Sequence, residues 1–188
     1  PLGPATLLSG QADGSPRACG RVNALAVHPY GQRAYAAAAN GGIWATTDGG
    51  ASWVSVGGLA STNVAGIKRP AHRNSCGALH VVWRDPPLDN EIVFLGTGEP
   101  HASANGRVED GEHGLGIFVL DKSKPVPADD PWQREAPHLV NDAVYGFATS
   151  ADASEVYAAT RTGLYQRPAG VVAAEAPWTR ITVEPFDV

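Results

Sequence analysis

Apolar residues fall in short runs along this chain, and the runs return in the same order three times. Arg33-Ala34-Tyr35-Ala36-Ala37-Ala38, Glu91-Ile92-Val93-Phe94-Leu95-Gly96 and Glu155-Val156-Tyr157-Ala158-Ala159-Thr160 each lead to a Gly-apolar-aromatic step, namely Gly42-Ile43-Trp44, Gly116-Ile117-Phe118 and Gly163-Leu164-Tyr165. Each set closes on a tryptophan: Trp53, Trp132 or Trp178. Upstream, the stretch from Cys19-Gly20 to His28-Pro29 aligns with that from Cys76-Gly77 to Asp85-Pro86. Short runs bounded by Gly, Pro, Asn and Asp are strand signals. They place strands near 21–28, 33–39, 42–47 and 52–57, then 78–84, 91–97, 115–121 and 132–136, then 142–149, 155–160, 163–167 and 178–183. Ala36–Ala39 is poor in β-propensity and helix is the alternative over Tyr35–Ala39, but Asn40-Gly41-Gly42 leaves a helix there too short. Small residues instead fit a strand sandwiched between neighbouring sheets.

Four short antiparallel strands with a tryptophan heading the outermost make one blade of a β-propeller, and a fixed repeat of such units is the mark of that architecture. The chain is therefore expected to be all-β, with an N-terminal extended segment (1–18) and a partial propeller (19–188) of three blades, about 19–57, 76–136 and 140–185. Propellers use four to eight blades. Three leave two apolar faces bare, so the remaining blades are expected from further sequence or from another chain. With 188 residues the chain is long enough for a real core. Its 22 Gly and 15 Pro favour strands and tight turns over helices. It has no Met and no signal peptide at Pro1–Ala5, which reads as a processed product or a piece of a longer polypeptide. The net charge of -5 gives no reason to expect nucleic acid as partner, and no apolar run is long enough for membrane insertion.

Residues 46–53 read Thr-Thr-Asp-Gly-Gly-Ala-Ser-Trp. Asp48-Gly49-Gly50 is a turn signal: Asp bonds its own downstream backbone and Gly tolerates positive φ. Beyond it, Ser52–Val56 resumes alternation. The pattern Thr46, Asp48, Gly50, Ser52, Trp53 resembles the Asp-box, the structural hairpin of the Asp-box (BNR-repeat) β-propeller superfamily, and Arg21–Trp53 is similar to the blades of its sortilin-like and xyloglucanase-like members. The resemblance covers most of 19–185 as architecture. The second and third units keep Trp132 and Trp178 but lose the Asp-x-Gly core, so longer loops are expected there. The superfamily hosts sialidases, xyloglucan hydrolases, sorting receptors and photosystem assembly factors, so the fold does not choose among functions. A sialidase-like site is not expected: no Arg-Ile-Pro segment occurs, and Arg21, Arg69, Arg73 and Arg107 are scattered.

Strand alternation sends the connections after second and fourth strands to one face, and the Asp-box to the other. Both long loops, 58–77 and 98–114, belong to the first face, which is where a function is expected. The densest titratable cluster in the chain lies there: Glu99, His101, Arg107, Glu109, Asp110, Glu112 and His113. It reads as a solvated acidic loop that contacts a partner, as a site for a divalent cation such as calcium, or as the carboxylates of a glycosidase, with Glu99, Asp110 or Asp85 as candidates. No other cofactor is expected. Lys68–Arg73 is a small basic cluster in the first loop, placed to meet the acidic one. Trp44 and Trp83 are expected in blade packing, and His80 as a core or channel-lining residue. Cys19 and Cys76 head equivalent strands in the alignment and are a disulfide candidate, which would imply an oxidising compartment. The leading expectation is a non-catalytic binding or scaffold module for a protein or glycan partner, secreted, periplasmic or at the cell surface. A glycoside hydrolase and a structural subunit of a larger assembly are the alternatives.

Overall fold

The computed structural model describes residues 21–39, 41–56, 63–64, 67–68, 76–84, 90–98, 114–123, 132–140, 142–170 and 178–181. They form three four-stranded antiparallel sheets, each a simple meander. Sheet I is β1 (Val22–Val27), β2 (Ala34–Ala38), β3 (Gly42–Thr46) and β4 (Val54–Ser55). Sheet II is β7 (Cys76–Val82), β8 (Ile92–Thr97), β9 (Ile117–Asp121) and β10 (Gln133–Arg134). Sheet III is β11 (Val144–Thr149), β12 (Glu155–Thr160), β13 (Gly163–Pro168) and β14 (Thr179–Ile181). One 3-10 turn, Pro137–Leu139, joins sheets II and III. The molecule is all-β, and its sheets are propeller blades. The strands lie close to their expected places, including β2 where helix was the alternative. One difference is in the first long loop, which holds a short hairpin of its own, β5 (Asn63–Val64) with β6 (Ile67–Lys68).

Two cores separate the three sheets, and the middle sheet feeds both. In β8, Ile92 and Phe94 face sheet III, while Val93 and Leu95 face sheet I. In β9, Ile117 and Val119 divide from Phe118 and Leu120 in the same way. This is why 92–95 is an unbroken apolar run: a strand covered on both faces has no solvent side to keep polar. Each such fully buried side chain stabilises by about 1.5–3 kcal/mol. In β12 only one face is covered, and burial alternates along it.

The strand pairing shows which residues are equivalent. All three innermost strands carry a β-bulge at the same place, leaving Asn23, Gly77 and Tyr145 as the extra residues. Val22 opposite Ala38, Cys76 opposite Thr97 and Val144 opposite Thr160 are then one position. Sequence alignment had set Cys76 against Cys19, three residues earlier, and His28 against Asp85. The pairing sets His28 against Val82 and Ser150 instead, because Val27, Val81 and Thr149 are equivalent. Asp85 and Cys19 lie outside the described residues, so the disulfide expectation is not addressed by them; Cys76 is buried in the core between sheets I and II. The Gly-apolar-aromatic step holds in register, with positive φ at Gly42, Gly116 and Gly163, where a side chain would be strained.

The tryptophans also match. Trp53, Trp132 and Trp178 each precede the fourth strand of their sheet. Trp178 lies edge-on to Phe94 of sheet II at 6.3 Å and tilted against Phe147 at 6.2 Å. Trp132 is buried in the other core with Tyr35 and Ile43 of sheet I. Each tryptophan of sheets II and III is thus a wedge against the preceding blade.

Candidate functional site

The Asp-box is a self-contained fastening. Thr46 Oγ1 donates to Asp48 Oδ1 at 2.8 Å and accepts from the Gly50 N–H at 3.0 Å. Ser52 donates its N–H to Asp48 Oδ1 at 2.9 Å and its hydroxyl to Oδ2 at 2.6 Å. The Gly49 N–H donates to the Gln32 carbonyl at 2.9 Å, which ties this hairpin to the β1–β2 turn. These donors, the Ser52 hydroxyl first, then the Ser52 N–H and Thr46, hold the Asp48 carboxyl down to about 2. A depressed carboxyl favours folding above its unfolded value of 3.8, and that contribution disappears as pH falls through about 2. β4, Val54 and Ser55, follows directly after Trp53.

A second turn of the same chemistry sits in sheet III, between β11 and β12. Ser150 Oγ and Ser154 Oγ donate to Asp152 Oδ1 at 2.6 and 2.8 Å, the Ser154 N–H donates to the same oxygen, and the Glu155 N–H donates to Ser150 Oγ at 3.0 Å. Asp152 is likewise held at about 2, by the Ser150 hydroxyl above all, then by Ser154. Sequence reasoning missed this Ser-x-Asp-x-Ser turn, although its spacing is close to that of the Asp-box and was there to be found.

On the opposite face, the second long loop is rooted in sheets II and III. A Cβ on Gly114 would lie 1.9 Å from the Asp142 carbonyl, and one on Gly98 would lie 2.9 Å from it. Only glycine permits both stems to reach this close. Thr97 clamps the same root: its Oγ1 donates to the Gly116 carbonyl and accepts from the Leu115 N–H, each at 2.7 Å. Asp142 itself is buried and saturated. Its Oδ2 accepts from Thr160 Oγ1 at 2.9 Å and from Thr162 Oγ1; its Oδ1 accepts from the Ala143 N–H at 2.9 Å and faces Arg161 Nε at 3.5 Å. No local spacing marks this carboxylate, because its partners are a main-chain neighbour and residues 18–20 positions on, at the end of β12 and in the turn after it.

The loop's titratable residues, Glu99, His101, Arg107, Glu109, Asp110, Glu112 and His113, lie outside the described residues, as does most of the Lys68–Arg73 cluster. Among the described residues no group of three or more His, Cys, Asp or Glu is gathered to hold a metal.

Two further carboxylates are buried between blades. Glu91 meets Arg33 Nη1 at 2.9 Å and Lys122 Nζ at 3.0 Å, and accepts from the Tyr35 hydroxyl at 2.6 Å. Arg33 also lies over the Trp83 ring at 5.2 Å, and Trp83 packs edge-on to His28 at 4.8 Å. Trp83 is therefore used in blade packing. Trp44 is half-buried, with its Nε1–H donated to the Gly41 carbonyl at 2.9 Å. Glu135 pairs with Arg167 Nη1 and accepts from Trp178 Nε1 at 3.0 Å, while Arg167 covers the Phe94 ring at 5.3 Å. His80 is half-buried on the innermost strand, on the face toward sheet III, with Nε2 unpartnered. Burial lowers its pKa below the ordinary 6.5, so folding favours its neutral form and loses stability as pH drops below that value.

No family model matches this chain, and no curated protein does. Among solved structures, an ancestral GH74 enzyme is similar over 89% of this chain with a TM-score of 0.51 and 19% identity. A GH74 enzyme from Niastella koreensis is similar over 84%, with a TM-score of 0.47 and 19% identity. This chain spans 19% and 21% of the length of those proteins. Among the described residues no helix is long and apolar enough to cross a membrane. The likeness to the ancestral enzyme is one of fold.

Proposed function

We propose that the chain is a binding or scaffold portion of an Asp-box β-propeller, secreted, periplasmic or at the cell surface, that offers its long-loop face to a protein or glycan partner. One observation carries the reading. Glu91, Glu135 and Asp142, the buried carboxylates of the described residues, are each committed to internal cations, hydroxyls or main-chain N–H groups. They hold blades and loop roots in place. The longest connections, 58–77 and 98–114, follow β4 and β8 and so leave the same face, and the second starts and ends at Gly98 and Gly114 packed against Asp142. Rigid scaffold beneath long loops is the usual arrangement for recognition.

The test is replacement of Glu99, His101, Arg107, Glu109, Asp110, Glu112 and His113 by alanine, followed by glycan-array and partner-capture measurements with calcium and with chelator. Loss of at least one binding signal at unchanged Tm is expected. Retention of every signal by the variant overturns the proposal.

The second reading is a glycoside hydrolase, with Glu99, Asp110 or Asp85 as carboxylates. Its support is that the similar fold belongs to a GH74 enzyme. Turnover of a β-glucan, xyloglucan or sialoside that disappears in Glu99→Gln would establish it in place of the first.

A further inference from the structure

We propose that the long-loop face binds an anionic glycan, a polysaccharide with regularly repeated carboxylates such as a uronate polymer, through arginines that recur from blade to blade. This names a ligand class for the binding face proposed above, and it rests on that reading for the choice of face.

Strand direction sorts the described charges to one end of the blades or the other. At the long-loop end Arg21, Arg161 and Arg180 are exposed and Arg134 is half-buried. No exposed carboxylate accompanies them among the described residues. Asp142 and Glu135 share this end, but both are buried and committed to internal partners. Arg161 faces Asp142 at 3.5 Å and still keeps 41% of its side chain in solvent. At the Asp-box end the balance is reversed: Asp48, Asp121, Asp152 and Glu155 reach solvent there, against Arg84 and Lys122. The two long loops carry four Lys or Arg and four Asp or Glu between them, so they leave the sign of their end unchanged. A basic face on a chain of net charge -5 is a local field, and such fields draw ligands of the opposite sign.

Two of these arginines hold one position in successive blades. Arg134 is opposite Phe118 and Arg180 is opposite Tyr165, each two residues past the positive-φ glycine of its third strand. They are fastened alike. Arg134 Nε donates to the Leu115 carbonyl at 2.7 Å, and Arg180 Nη2 to the Thr162 carbonyl at 2.8 Å. The fold does not need arginine for this bond. Sheet I has Ser55 at the same place, opposite Trp44, and there Trp44 Nε1 serves the corresponding Gly41 carbonyl. A guanidinium has five N–H donors. Arg180 spends one on the main chain, and Arg134 reaches one further carbonyl, that of Pro137, at 3.4 Å. Neither has a carboxylate against it among the described residues. Burial pulls the pKa of Arg134 below its ordinary value, as expected of a cation taken out of water without a counter-charge. A carboxylate is the planar, bidentate partner that such a fork accepts. The Thr162 bond also sets Arg180 against the turn that carries Arg161, so the two exposed cations are neighbours.

A cation repeated in the same place of successive blades fits a polymer that repeats its own charge. A uronate chain does so, and its pyranose rings add apolar faces and hydroxyls. Tyr145, 46% exposed at the start of β11 on the same end, offers a ring to stack on. Nucleic acid repeats its charge as well, but at about 1.7 Å per charge, and its binders neutralise about six to ten phosphates. Four arginines on an acidic chain do not supply that.

Calorimetric titration with polygalacturonate oligomers, neutral β-glucan oligomers and an oligothymidylate of matched length tests this. Polygalacturonate should bind, and the other two should not displace it. Its affinity should fall as salt rises from about 0.05 to about 0.5 M, because the contacts are exposed and screened. Arg21→Gln, Arg161→Gln and Arg180→Gln combined should weaken it at least about tenfold, each exposed pair contributing little alone. Arg84→Gln, at the Asp-box end, should leave it unchanged. No binding of polygalacturonate, equal affinity for the neutral glycan, tighter binding of the oligothymidylate, or unchanged affinity in the triple variant overturns the proposal. Where the triple variant melts early, the salt series on the wild-type protein decides, and affinity independent of salt overturns it. A neutral glycan or protein partner that binds in place of polygalacturonate, and is lost in the loop alanine variant, overturns the anionic ligand and leaves the binding reading intact. Polygalacturonate binding that survives the loop variant and not the arginine variant upholds the ligand class and removes the loops from the site.

Discussion

Glu135→Val alone, or Arg167→Leu alone, should lower folding stability by about 3–5 kcal/mol, and the double variant Glu135→Val with Arg167→Leu should recover most of the loss. Both side chains of this pair are 1% exposed, so removal of one partner leaves the other charged or polar group buried and unmatched. Replacement of both by apolar residues of suitable shape removes the desolvation cost together with the attraction, and is often neutral. The molecule contains its own precedent. Pairing makes Val56 of sheet I the equivalent of Glu135, since the Val56 N–H bonds to Ile43 as the Glu135 N–H bonds to Ile117. It likewise makes Leu120 of sheet II the equivalent of Arg167, opposite Val93 as Arg167 is opposite Val156. The first blade junction therefore already uses the apolar solution at these two positions.

The same comparison explains an orphaned donor. Trp178 Nε1 bonds to Glu135, whereas Trp132 Nε1 at the first junction is buried without a partner, because Val56 offers no acceptor. The double variant would place Trp178 in the condition of Trp132. An unmet N–H costs about 1–3 kcal/mol, and this bounds the residual deficit. Urea unfolding of the four proteins measures the cycle. A double variant less stable than the worse single one contradicts the assignment.

The other large effect is expected at Gly77. A Cβ there would stand 2.1 Å from the Gly98 carbonyl and 2.7 Å from that of Val144. Both obstacles are main chain, one just after β8 of the same blade and one in β11 of the next, with no flexible side-chain end to move aside. Gly77→Ala should thus cost at least about 3 kcal/mol, at the upper end of overpacking effects. Gly146 is the internal control. It pairs with Ala159 as Ala24 pairs with Ala37 and Ala78 with Gly96, so alanine already serves at this position in two blades. A Cβ there meets nothing within 4 Å. Gly146→Ala should stabilise by about 0.5–1 kcal/mol, the usual gain for replacing glycine inside a strand. Thermal or urea unfolding of the two variants decides the matter, and similar effects from both would contradict the close approach at the bulge.

The sequence was most legible where the signal is local. Turn chemistry at Thr46–Trp53, positive-φ glycines at the entry to the third strands and a tryptophan ahead of each fourth strand all act within a few residues, and they sufficed for the blade architecture. The bulges were not legible. An extra residue in an innermost strand changes which side chains share a face without altering the apolar count. Alignment on Cys-Gly also paired Cys76 with Cys19 when its structural counterpart is Val22, because the connection from first to second strand is longer in sheet II (Val81 pairs Val93) than in sheet I (Val27 pairs Ala34). The buried ion pair was hidden for another reason: Glu135 and Arg167 are 32 residues apart and belong to different blades. Glu135 ends an outer strand, where a solvated carboxylate would be equally natural. Asp142 gave no spacing pattern, since threonines at the end of β12 and in the turn after it hold it. Of the candidate site, the loop's roots are in view, and the residues proposed to act, Glu99 through His113, stand beyond the described part.

The repeated wedge of tryptophan against the preceding blade is most directly tested by ring-proton NOEs in the folded chain. Trp178 should show contacts to Phe94 and Phe147, with Trp132 confined to the cluster that contains Tyr35 and Leu95. Contacts from Trp178 to Tyr35 or Leu95 in place of Phe94 would contradict the order of the blades and the packing derived from it.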